Sequence, residues 1–130
     1  MPALVLVVDD TEAVRKLVAR ALADAGHEVL AAASAEGAID VVAARGEPLD
    51  LAVIDVHLAR TDGQTLASVL RRDHPGLPVL FVSGYGDAEQ RAIVKGDLLA
   101  KPFDLDTLVH HVQALLTRGR RESGPDACAS

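Results

Sequence analysis

Five side chains able to do chemistry stand directly behind short apolar runs. Asp9 and Asp10 follow Ala3–Val8, Asp55 closes Leu51–Ile54, Ser83 follows Val79–Val82, and Lys101 follows Leu98–Ala100. Taken singly, each has an ordinary reading. A strand-end Asp often serves as a turn or N-cap residue, Ser83 precedes Gly84 as a turn serine would, and lysines are usually exposed. Taken together they make a different set: three carboxylates, a hydroxyl and an ammonium. Carboxylates held close repel one another, and a divalent, oxygen-seeking cation such as Mg²⁺ (or Mn²⁺) relieves the repulsion. By formal charge, three acids and one such cation leave about −1, and Lys101 brings the total to about zero. A neutral site of this kind can admit a dianionic phosphoryl group. Phosphoryl transfer asks mainly for positioning and charge stabilisation. Asp55 would offer the nucleophilic oxygen, the cation and Lys101 would hold phosphoryl oxygens, and the Ser83 hydroxyl would donate to another.

That chemistry requires residues far apart in sequence to meet, so the elements carrying them must converge. Within the stretch Leu49–Val56, entered through Gly46–Pro48, Leu51–Ile54 is a short, nearly unbroken apolar run, the pattern of a strand buried on both faces of a parallel sheet. Ala3–Val8, His27–Ala33, Val79–Val82 and Leu98–Ala100 read as further strands. Between them the apolar period changes to that of helices. Val14, Leu17, Val18, Ala21, Leu22 and Ala25 form one stripe, closed by Gly26. Ser34 is the N-cap of a helix anchored by Ile39 and Val42, which ends near Gly46. Leu66, Val69 and Leu70 mark a third helix, started by the Asp62-Gly63 turn and halted by His74-Pro75-Gly76. Asp87–Val94 is weakly helical. Leu105, Leu108, Val109, Val112, Leu115 and Leu116 line a last helix with Asp104 as N-cap. Five alternations predict an α/β fold: a five-stranded parallel sheet with helices on both faces, a flavodoxin-like (β/α)5 arrangement. In such sheets ligands bind beyond the carboxyl ends of the strands, where all five reactive residues lie.

Composition bounds the function. At 130 residues one domain is expected, spanning 1–118, with 119–130 lacking periodicity and predicted to be a mobile tail. Apolar residues make up 49% and aromatics 2%, so the core must be aliphatic. A formal charge of −6 argues against nucleic acid as a direct ligand, and Arg118, Arg120 and Arg121 fit a solvated terminus. Cys128 is the single cysteine, which excludes an internal disulfide. No apolar run approaches the roughly 20 residues of a membrane span and no signal peptide opens the chain, so a cytoplasmic protein is expected. His110 and His111 are adjacent on a helix and do not share a face, which makes them a poor metal pair.

Four motifs in order, VLVVDD, VIDVHLARTDG, FVSGYGD and LLAKPF, resemble the receiver domain of bacterial two-component response regulators, over roughly Ala3 to Arg118. The resemblance to this CheY-like family implies that Asp55 is the phosphoacceptor and that Asp9 and Asp10 organise Mg²⁺. Asp10 and the backbone carbonyl of His57 would be direct contributors. Ser83 would be the hydroxyl switch, Lys101 the cation, and the Lys101–Pro102 bond cis. Several positions depart from the family pattern. Ala59 stands where proline is usual, and Leu98 where an aromatic switch residue is usual. Ser83 and Lys101 are 18 positions apart, which predicts a short or irregular fourth helix. Tyr85, the single tyrosine, is a candidate to replace the missing aromatic switch, and the His57 side chain to tune dephosphorylation. No output domain is expected after Arg118, as in stand-alone receivers. The expected partners are a histidine kinase or histidine phosphotransfer protein and a downstream protein reading the surface from Ser83 to Phe103 and the last helix. Such a protein acts catalytically only on itself. Alternatives on the same residues are a receiver-like scaffold that is never phosphorylated, an aspartyl phosphatase or phosphomutase, and a flavin-binding electron carrier. The adjacent acids after the first strand and the scarcity of rings count against the last two.

Overall fold

The computed structural model describes residues 3–56, 58, 62–83, 97–100 and 103–122. Strands and helices follow as β1 (Leu4–Val8), α1 (Glu12–Asp24), β2 (Glu28–Ala32), α2 (Ala35–Arg45), β3 (Leu51–Asp55), α3 (Gly63–Asp73), β4 (Val79–Ser83), β5 (Asp97–Ala100) and α4 (Leu105–Glu122). The strands form one parallel sheet in the order β2-β1-β3-β4-β5. From β1 the chain winds first outward to β2 and then back across to β3. The direction of winding therefore reverses between β1 and β3, and a crevice opens above their carboxyl ends.

Each buried strand serves two cores because successive side chains point to opposite faces. Leu4, Leu6, Val8, Ala52, Ile54, Val79 and Phe81 pack with Ala38 of α2 and Leu66, Ala67 and Leu70 of α3. Val5, Val7, Leu51, Val53, Leu80 and Val82 pack with Val18 and Leu22 of α1 and Leu108, Val112, Leu115 and Leu116 of α4. The near-continuous apolar runs in the sequence are thus two interleaved rows, one for each face. The Ser34 Oγ accepts the Gly37 amide at 3.0 Å and the Asp62 Oδ1 accepts the Thr65 amide at 2.7 Å, capping α2 and α3. Gly46 ends α2 at φ +71°, a left-handed conformation that favours glycine. The Asp104 carbonyl accepts the Leu108 amide at 3.0 Å, which places Asp104 at the start of α4.

Three expectations are corrected. Leu17 is 55% exposed: α1 turns the row Val14, Val18, Leu22 inward, and Leu17, one residue from Val18, lies about 100° away around the helix. Ile39 is 40% exposed for the same reason, and α2 is seated on the sheet by buried Ala38 with Val41 and Val42 beside it. α4 continues to Glu122, beyond the boundary expected at Arg118. A nucleated helix extends by one hydrogen bond per residue without needing a buried face, and arginine is a good helix former. The segment Asp87–Val94 and residues 123–130 lie outside the described residues. Among the described residues no helix is long and apolar enough to cross a membrane.

Candidate functional site

The site is built by the ends of β1 and β3. Their register pairs Val7 with Val53 and Val8 with Ile54, so one residue further along Asp9 comes level with Asp55. Asp9 continues the row of Val5 and Val7, and Asp55 that of Leu51 and Val53, so both carboxylates belong to the face covered by α1 and α4. Asp10 follows on the turn into α1 and is exposed. One carboxylate oxygen from each of Asp9, Asp10 and Asp55 lies within 4.8 Å of the others.

Burial sharpens this picture. Among the described residues the buried polar side chains are Asp9, Asp55 and Ser83, at 4%, 6% and 0% exposure, and all three sit on the carboxyl rim of the sheet. Carboxylates are seldom buried without compensating partners. Asp9 has local ones. Its Oδ1 accepts the Thr11 amide at 2.8 Å, its amide donates to the Ala32 carbonyl at 3.2 Å, and its carbonyl accepts Nη1 of Arg15 at 2.9 Å. Asp9 therefore does structural work at the head of α1 as well as facing the crevice. α1 begins at Glu12, so its unpaired amides add partial positive charge beside the acids.

The three-acid cluster fits a small divalent cation. Oxygens around an octahedral Mg²⁺ at 2.0–2.1 Å stand about 3 Å apart when adjacent and about 4 Å apart when opposite, so acids gathered within 4.8 Å must draw together by about 1–2 Å to share one ion. Hard carboxylate oxygens are also the donors this ion prefers.

Asp55 is held from below and behind. It pairs with Val82 across β3 and β4, and the next amide, Val56 N–H, donates to the Val82 carbonyl at 2.9 Å. The Val56 carbonyl accepts the Gly63 amide at 2.7 Å, which draws the first residue of α3 against the strand end. A Cβ on Gly63 would lie 2.3 Å from the Asp55 carbonyl oxygen and 2.8 Å from Ile54 Cγ2. Only glycine permits that approach. Ser83 ends β4 in register with Ala100 of β5. Leu98 pairs with Phe81 and is half-buried against the core under α2 and α3.

Of the sequence-predicted residues, Asp9, Asp10 and Asp55 are thus brought together, and Ser83 is buried on the same rim. His57, Ala59, Tyr85, Lys101 and Pro102 lie outside the described residues, and with them the cis bond. Two residues were missed by sequence reasoning. Gly63 was read as a turn former, although its packing against Asp55 is what requires glycine. Arg15 carries no sequence signal toward the site, because its contact is to a backbone oxygen.

Comparison with known proteins gives the same architecture. Residues 5–113 match the model of the response regulator receiver domain. The response regulator protein FleR of Pseudomonas aeruginosa is 38% identical over 135 residues, which cover 98% of this chain and 28% of FleR. The crystal structure of NtrX from Brucella abortus superposes with a TM-score of 0.83 at 35% identity, covering 94% of this chain and 29% of NtrX. That of a response regulator receiver protein from Sinorhizobium medicae gives a TM-score of 0.79 at 28% identity over 91% of this chain and 97% of its own. The chain spans between 13% and 28% of the length of the first curated relatives it matches. With a 2-1-3-4-5 parallel sheet, an acid cluster at its switch point and a family match over 5–113, the chain belongs to the response regulator receiver domain family.

Proposed function

We propose that this domain accepts a phosphoryl group on Asp55 from a phosphohistidine of a histidine kinase or histidine phosphotransfer protein, in cytoplasmic two-component signalling. The observation that carries the reading is the gathering of Asp9, Asp10 and Asp55 within 4.8 Å at the end of a buried strand. Asp9, Asp10 and Asp55 would hold Mg²⁺ (or Mn²⁺), with the His57 backbone carbonyl as a further oxygen donor. When bound, the ion would supply positive charge to the phosphoryl oxygens. An Asp55 carboxylate oxygen attacks phosphorus, the phosphorus–nitrogen bond of the donor breaks, and its electron pair stays on the imidazole. The product is an acyl phosphate on Asp55. Water attack on phosphorus then returns the carboxylate and inorganic phosphate, so the domain acts on itself and turns over no other substrate.

Lys101 and Ser83 would contact the phosphoryl oxygens, Lys101 as a charge and Ser83 as a hydroxyl donor. Ser83 is fully buried, so its hydroxyl can reach a new acceptor only with local rearrangement, which would change the surface that a downstream protein reads. Leu98, packed against the core in register with Phe81, lies next in that path, and Tyr85 is the aromatic residue proposed to report the change.

The test is incubation with acetyl phosphate and Mg²⁺, read on a phosphate-affinity gel. A retarded band is expected for the wild type, with none for Asp55→Asn and none in EDTA. A band that persists in Asp55→Asn moves the modification elsewhere and ends the proposal. No band from acetyl phosphate or from a phosphohistidine donor leaves a binding scaffold as the function.

A further inference from the structure

Arg15 closes the first turn of α1, half-buried, and its guanidinium reaches back across the turn to the backbone of Asp9. Nη1 donates to the Asp9 carbonyl at 2.9 Å. That carbonyl belongs to the rigid peptide plane joining Asp9 to Asp10. Fixing its direction fixes where the Asp10 nitrogen and Cα stand, the base from which its side chain projects. Asp10 needs such help. Asp9 is anchored through Thr11 and Ala32, and Asp55 lies within the sheet, but among the described residues nothing hydrogen-bonds the exposed Asp10 carboxylate. Its place in the cluster is set by the backbone that carries it.

We propose that Arg15 is a positioning residue for the acid cluster, acting through the Asp9 carbonyl to aim Asp10 at the divalent cation. This rests on the metal site proposed above. Groups that orient ligands from outside the coordination sphere typically change metal affinity by 10–100-fold when removed. Electrostatics alone predicts the opposite sign. Arg15 is cationic and near the site, so deleting its charge should tighten the binding of another cation. The direction of the change therefore separates positioning from charge.

The experiment is calorimetric titration of Mg²⁺ into the whole chain as wild type, Arg15→Met, Arg15→Lys and Arg20→Met. Arg20→Met removes the same charge from the same helix at an exposed position paired only loosely with Asp24, 4.0 Å away. Arg15→Met is expected to weaken Mg²⁺ about tenfold, with Arg15→Lys in between and Arg20→Met close to the wild type. The loss should persist in about 1 M NaCl, where exposed charges are screened within roughly 3 Å. Melting in EDTA and exchange of the Thr11 amide are measured alongside. A merely structural role lowers the melting temperature and leaves Mg²⁺ affinity unchanged, whereas positioning changes the affinity and speeds Thr11 exchange. Wild-type or tighter binding in Arg15→Met overturns the proposal. If Arg15→Met does not fold, wild-type affinity in Arg15→Lys does the same. A wild type that binds no Mg²⁺ overturns the metal site itself, and this inference with it.

Discussion

Gly63→Ala adds one methyl group beside the phosphoacceptor, and the structure sets its cost. The new Cβ would stand 2.3 Å from the Asp55 carbonyl oxygen and 2.8 Å from Ile54 Cγ2, where ordinary contact begins at 3.4 Å. The end of β3 and the head of α3 must separate by about 1 Å, and both are backbone, so no side-chain rotation relieves the clash. Overpacking of this kind costs about 1–3 kcal/mol. Against it stands the better helix propensity of alanine, at most about 1 kcal/mol and less at a first helical residue. The clash wins, leaving a net loss of about 1–2 kcal/mol, or about 4–8 °C in melting temperature for a domain of this size. The functional effect should be larger. A reacting group displaced by about 1 Å can lose about 100-fold in rate, so acetyl phosphate labelling of Asp55 should slow by one to two orders of magnitude. Both readouts use the same samples: differential scanning fluorimetry, and a gel time course well below the melting temperature. Gly37→Ala is the control, because its Cβ would meet only Ser34 Oγ at 3.2 Å and Ala32 Cβ at 3.7 Å. That variant asks only the Ser34 Oγ to give by a few tenths of an ångström, so it should shift the melt far less than Gly63→Ala and label normally. Wild-type stability and rate in Gly63→Ala would refute the view that α3 holds Asp55 by close backbone packing.

Mg²⁺ should stabilise the domain by about 1.4 kcal/mol at ten times its dissociation constant, seen as a higher melting temperature. Asp10→Asn should melt higher than the wild type in EDTA, because repulsion among the acids is eased, and gain less on adding Mg²⁺; a lower melt in EDTA would count against carboxylate repulsion. Ser34→Ala removes the acceptor for the Gly37 amide and should cost about 1 kcal/mol by urea unfolding, with phosphorylation unchanged. Leu108→Ala opens a cavity where α4 meets the sheet, at a fully buried position, and should cost about 2–5 kcal/mol in the same assay. Asp55 labelling below its melting temperature should remain, because α4 supports the sheet from beneath and contributes none of the three acids.

Local interactions made much of this protein legible from its residues. The alternation of apolar runs with helical stripes, the Ser34 cap, the Asp62-Gly63 turn into α3, and the stops at Gly26 and Gly46 depend on neighbours within a few positions, and each is found as expected. The placing of Asp9, Asp10 and Asp55 at strand ends follows from the same local pattern. A parallel sheet then gathers its strand ends on one rim without further information from the side chains.

What the chain's tertiary structure alone decided are contacts between segments distant in sequence or through the backbone. Which of two adjacent apolar residues faces inward, Val18 or Leu17, Ala38 or Ile39, is chosen by how each helix lies on the sheet, because a 3.6-residue period leaves several stripes open to burial. Likewise Gly63 is required by a strand end eight residues earlier, and Arg15 reaches the site through a carbonyl that any residue could supply. Residue type reveals side-chain chemistry and local geometry; how closely two backbones approach depends on the packing of the whole domain.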